Sequence, residues 1–266
     1  MWERAKAPER ARYCDLVAGA VSKLAGAATM ANAALDLARH ADALLPGHAA
    51  PLILEGRALE ALGQDRTALA TFREGKRRDP SALDDPPALL AWARVLAHTG
   101  HTGEALAAYR GLLPRMASLP GRERASAYVE AGLVAMASGP PGLDDAVADL
   151  RQAARDDQAG TRALAVYGLA LALARRGEPG AAQFLLSDRT ALGNPVEALS
   201  TDAAKRRLSA APAETFAIEG FALEARDRAA SRDAWVRYTN AAPTGPWAAA
   251  TRRRLGESPR VKGRAP

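Results

Sequence analysis

Apolar residues recur every three to four positions through most of the chain, and glycine or proline interrupts them at helix-length intervals. Strands would instead alternate with a period of two, so the pattern predicts helices joined by short turns. The clearest stretch is Ala49–Pro80, AAPLILEGRALEALGQDRTALATFREGKRRDP. It predicts one helix over 50–62 and a second over 65–78. Gly63 is the expected C-cap of the first and Asp65 the N-cap of the second. Arg77 and Arg78 complement the helix dipole, and Asp79-Pro80 ends the pair, because a residue preceding proline avoids helical geometry.

Weaker versions of this pair follow along the chain. The first helices fall over 8–24, opened by Pro8, and over 29–44, where Ala34, Ala38 and Ala41 share a face before Pro46 and Gly47. After a linker over 81–87, pairs are expected over 87–98 with 102–113, 121–137 with 143–157, 161–176 with 179–187, and 213–226 with 229–240. A last helix over 246–255 would cap the array, since stacked repeats need a polar-faced end. The region 190–211 is the least regular, with 195–208 readable as one helix, a degenerate repeat or an insertion. The resulting layout is a single all-α domain over 1–256. Its repeats lie near 8–48, 49–80, 86–117, 121–157, 160–188 and 212–243, with an irregular 189–211, a cap at 245–256 and a flexible basic tail over 257–266.

Composition agrees with helices. About a quarter of the residues are alanine, the best helix former, while strand-forming residues are sparse. A hydrophobic share of 48% argues against disorder of the body. The net charge of +6 is concentrated at the end: Arg252, Arg253, Arg254, Arg260, Lys262 and Arg264 stand against Glu257. The first 250 residues hold 30 basic against 29 acidic side chains, so the body lacks the basic patch of a nucleic-acid binder. The tail reads as a solubilising extension. The one cysteine, Cys14, permits no intramolecular disulfide and is expected to be a small buried hydrophobe. The longest apolar run, Ala163–Ala174, is too short to span a membrane. With no signal peptide at its N-terminus, the chain is expected in the cytoplasm. An export signal further upstream would move it to the periplasm.

The spacing of Gly56, Gly63, Ala68, Phe72 and Pro80 resembles the tetratricopeptide repeat. Ala93, Gly100, Ala105 and Tyr109 match in the third pair, and Gly132, Gly139, Ala146 and Leu150 in the fourth with two extra residues in the turn. Gly168 and Ala182 match in the fifth, and Gly220, Trp235 and Pro243 in the sixth. The ending Pro243–Leu255 is similar to the last repeat and cap of bacterial envelope-associated proteins of this family. The resemblance implies a right-handed superhelical solenoid of about six helix pairs, with small residues letting paired helices approach and Phe72 filling the gap to the next repeat. It also implies a non-enzymatic scaffold that binds a peptide or protein segment along its first helices. The family's groove residue follows the small helix-A position, which gives Arg57, Arg94, Leu133, Leu169 and Phe221. The arginines suit carboxylates, although the asparagines of the family's carboxylate clamp are absent. Each position has a structural alternative: Arg57 and Arg94 as partners of Glu55, Glu60 or other acids, and the three apolar residues as core. An RNA-binding helical repeat and a permanent subunit of a larger, envelope-associated complex are the other readings of such an array.

Catalytic signals are missing from the sequence. His40, His48, His98 and His101 form no H-E-x-x-H pattern, and there is neither a P-loop nor a nucleophile elbow. His98 and His101 flank a turn, where capping and dipole contacts account for them. The paired acids Asp84-Asp85, Asp144-Asp145 and Asp156-Asp157 sit at expected helix ends, again as caps. No cofactor or metal is expected.

Overall fold

A computed structural model of the chain describes residues 7–26, 28–155, 161–187, 212–224 and 226–256. Among them are thirteen α-helices and no strand. Two compact units, Met1–Pro120 and Gly121–Pro266, divide what the sequence pattern lays out as one array. The first contains α1 (Ala7–Leu24), α2 (Ala31–Leu44), α3 (Ala49–Ala61), α4 (Asp65–Arg78), α5 (Pro86–His98) and α6 (Thr102–Leu112). The second contains α7 (Gly121–Ala137), α8 (Leu143–Arg155), α9 (Arg162–Arg175), α10 (Pro179–Ser187), α11 (Pro212–Leu223), α12 (Arg228–Ala241) and α13 (Ala248–Leu255). The fold is therefore all-α, built of consecutive helix pairs, and most helix ends fall within two residues of the sequence expectation. The expected helix over 195–208, Asp156-Asp157 and the tail over 257–266 lie outside the described residues.

Within each unit the helices stack in one recurring way. The first helix of a pair packs on its own second helix and on the next pair: α3 against α4 and α5, and α7 against α8 and α9. The turn between partners repeats as well. The Gly63 N–H donates to the Glu60 carbonyl and the Gln64 N–H to the Leu59 carbonyl, both at 2.9 Å, with Gly63 at φ +72°. The same two-bond closure recurs at Gly100, where His101 N–H reaches the Leu96 carbonyl at 2.8 Å. It satisfies terminal carbonyls that the helix cannot satisfy internally.

Small residues set the separation of the helices. Gly56 of α3 lies against the Phe72 ring of α4, so closely that a Cβ on Gly56 would stand 2.9 Å from the ring. Gly132 of α7 meets Leu150 of α8, and Gly220 of α11 meets Trp235 of α12, each at 2.5 Å from such a Cβ. Phe72 is fully buried and also meets Trp92 of α5 edge-on, with ring centroids 5.7 Å apart, so it fills the space toward the following pair. Ala34, Ala38, Ala41, Ala58, Ala68 and Ala105 are completely buried. The apolar run of α9 is buried without interruption from Ala165 to Ala174, which identifies it as a core helix enclosed on all sides.

Arginines tie non-adjacent elements. Arg78 at the end of α4 donates to Asp42 of α2 at 2.8 Å and to the His48 carbonyl at 3.1 Å, and also contacts Glu74. Arg175 of α9 forms a two-pronged pair with Glu214 of α11 at 2.8 and 2.6 Å. At the end of the second unit, Trp247 is fully buried and its backbone N–H donates to the Tyr238 hydroxyl at 2.8 Å.

Two local expectations are corrected. Asp65 does not cap α4: Gln64 occupies the cap position, without a side-chain bond, and Asp65 is the first helical residue. The two-bond turn at Gly63 leads directly into Gln64 and leaves Asp65 one position too late. Asp85 and Asp227 do cap, accepting from the Ala88 and Ala230 N–H groups at 3.3 and 2.9 Å. Cys14 is exposed, not buried. Helix α1 is the first described helix and packs through Val17, Ala20 and Leu24 against Leu37, Ala38 and Leu54.

The Gly56 contact yields a matched pair of expectations. Gly56→Ala gains about 1 kcal/mol of helix propensity but overpacks Phe72, and is expected to lower stability by a net ~1–3 kcal/mol in urea unfolding. Gly103→Ala, where a Cβ would meet nothing within 4 Å, is expected to raise it by about 0.4–1 kcal/mol. A second expectation concerns pH. Hydrogen bonds from Arg77 and Arg78 hold the Glu74 carboxyl down to about 2, against an ordinary 4.5. A depressed folded-state value stabilises above the unfolded value and loses that contribution as pH falls from 4.5 toward 2. Glu74→Gln should flatten the pH dependence of the unfolding midpoint in that window, and carboxyl NMR titration reads the low value directly.

Candidate functional site

The face to be judged is that of the first helices of each pair, and its register follows from packing. Gly56 faces Phe72, and Ala93 of α5 is fully buried. One residue further along a helix turns the side chain by about 100°. Arg57 and Arg94 are accordingly turned out of the interface and partly exposed. Since α3 and α5 pack against each other, the two arginines occupy equivalent positions on adjacent helices of the first unit. Arg57, Glu60 and Arg94 each have an interaction within the protein. Glu55, one of the acids considered as a partner, accepts from Arg39 Nε at 3.0 Å.

In the second unit the corresponding positions lie in the core. Leu133, Leu169 and Phe221 are only 6, 3 and 5% exposed. Leu133 approaches Gly168 of α9, where a Cβ would stand 3.2 Å from its side chain. Phe221 packs edge-on between Trp235 and Trp247, with centroids 4.7 and 5.2 Å away. The same step along the helix that frees an arginine in the first unit points an apolar side chain into the neighbouring helix here. The basic positions and the apolar positions thus belong to different environments.

The turn between α3 and α4 adjoins that between α5 and α6, and together they border a cleft of about 690 Å³ lined by Gln64, Asp65, Arg66, His98 and His101. His98 Nδ1 is 3.2 Å from Asp65 Oδ2, and His101 Nδ1 is 3.0 Å from the Thr99 hydroxyl. Each imidazole thus has a local polar partner at a helix end. The other Asp65 carboxylate oxygen is buried without a hydrogen-bond partner. Among the described residues, no group of three or more His, Cys, Asp or Glu is arranged to hold a metal ion, and no helix is long and apolar enough to cross a membrane.

One residue of the basic C-terminal stretch has a defined place. Arg254, counted above with the tail, lies on α13 with its guanidinium 4.7 Å from the Phe221 ring centroid and 5.2 Å from that of Trp235. Glu224 accepts from it at 3.0 and 3.3 Å. Charge counting alone cannot reveal this: the aromatic pair and Glu224 are about 20 to 30 residues away along the chain.

Known proteins give a limited comparison. No protein-family model matches the chain, and no curated protein matches it. Among solved structures, a tetratricopeptide repeat protein from Parabacteroides merdae is similar, with 16% identity, 92% of this chain and 98% of that chain covered, and a TM-score of 0.46.

Proposed function

We propose that the chain is a non-enzymatic scaffold that holds a peptide or protein segment against the first-helix face of its first unit. Arg57 and Arg94 supply the cationic contacts. The observation that carries this reading is their equivalence: two partly exposed arginines, in the same register, on two first helices that pack side by side. Such a spacing suits a segment that presents acidic groups at intervals, because guanidinium groups bind carboxylates through paired hydrogen bonds. The sequence likeness to tetratricopeptide repeats, carried by Gly56, Gly63, Ala68, Phe72 and Pro80, supports the same mode of action. Leu133, Leu169 and Phe221 do not enter this surface, since their side chains are buried.

The test uses a panel of glutamate-containing peptides and fluorescence anisotropy. Binding should weaken about tenfold or more in an Arg57→Glu, Arg94→Glu double variant, with a shallower dependence on salt. Unchanged affinity would remove the arginines from the binding surface. Filter binding of an RNA oligonucleotide in parallel addresses nucleic acid: retention by a chain lacking residues 257–266 would favour the RNA-binding alternative.

A further inference from the structure

At the end of the second unit, Glu224, Arg228, Ser231, Arg232, Trp235 and Arg254 line a cleft of about 540 Å³. Three of the six are arginines and one is acidic. Glu224 is already committed, since both of its carboxylate oxygens accept from Arg254. Arg254 is itself held in place by the Phe221 and Trp235 rings. The Ser231 hydroxyl donates to the Gly220 carbonyl at 2.8 Å. Only Arg228 and Arg232 remain uncommitted: both are exposed, and neither forms an ion pair among the described residues.

Their placement works against the stability of the free protein in two ways. Arg228 is the first residue of α12, where the helix dipole disfavours a cation. Arg232 follows it by four positions, so two like charges share one helix face. The acid that lines the cleft with Arg228 is Glu224, and Arg254 has taken it. Asp227 caps the helix through the Ala230 N–H. Local charge rules broken without a compensating contact are characteristic of binding sites.

We infer that this cleft binds a phosphoryl group. The lining carries a net charge of +2, close to the −1.5 to −2 or so of a phosphate monoester. A carboxylate would neutralise only half of it. The site lies between the second helix of the last pair and the cap, so it is separate from Arg57 and Arg94 and does not rest on their role. The phosphoryl group belongs either to a phosphorylated side chain of a partner protein or to a free phosphorylated compound.

The experiment titrates the full chain with inorganic phosphate, O-phosphoserine and acetate at constant ionic strength, following tryptophan fluorescence and calorimetry. Phosphate or phosphoserine should bind saturably, acetate more weakly, and Arg228→Gln with Arg232→Gln should reduce the affinity about tenfold or more. Tighter binding of phosphoserine than of phosphate identifies a modified side chain as the source, and the reverse order identifies a free compound; either result supports the site. The free protein supplies the second readout. Because Arg228 is placed unfavourably, Arg228→Gln should raise the melting temperature at low salt while it weakens phosphate binding. The inference is overturned by the absence of saturable binding, by acetate binding equal to phosphate, by unchanged affinity in the double variant, or by a lowered melting temperature for Arg228→Gln.

Discussion

In three of the helix pairs, one helix offers a place without a side chain where its partner offers a large one. Phe72 against Gly56, Leu150 against Gly132 and Trp235 against Gly220 are three solutions of this constraint. The large residue then reaches beyond its own pair, as Phe72 does toward Trp92 and Leu150 toward Gly168. A single pair would leave such side chains partly uncovered, so the pairs must stack, and the buried alanines set how closely. Close approach also increases the dispersion contacts that each buried ring makes.

Arginines add a different kind of restraint to this packing. Arg78, Arg175 and Arg254 each connect helices that are distant in sequence, through geometry that lysine could not reproduce. Their ion pairs are partly shielded, a setting in which desolvation offsets much of the attraction. Their main effect is on relative helix position, since a two-pronged bond tolerates little rotation. Arg254 illustrates the effect: stacked on two rings and bound to Glu224, it fixes the cap helix over the last pair.

The helices were largely legible in the sequence because glycine, proline and apolar period act locally. The 65–78 and 121–137 helices coincide with their observed limits, and the cap begins two residues later than the pattern suggests. Local rules also failed locally: the Gly63 turn displaced Asp65 from the cap by one position. Side-chain environment was less legible, because it depends on which neighbour covers a face. Arg57 and Leu133 hold the same place after a small residue, yet one is partly exposed and the other buried against α9. Cys14 lies on an exposed side of α1, which a period of 3.6 cannot indicate. Arg254 and its partners meet only through the fold, and the division into two compact units has no marker beyond one more proline, Pro120.

The first and last described helices are finished differently. In the last described helices Trp247 is sealed beneath the cap, its backbone N–H bonded to the Tyr238 hydroxyl, and Arg254 closes over the rings. At the N-terminal end α1 rests on its neighbours through Val17, Ala20 and Leu24, while Val21 and Cys14 face water. In a stacked array each helix is held by its neighbours alone, so detachment of α1 would uncover Leu37, Ala38 and Leu54 and leave the remaining pairs of the first unit stacked.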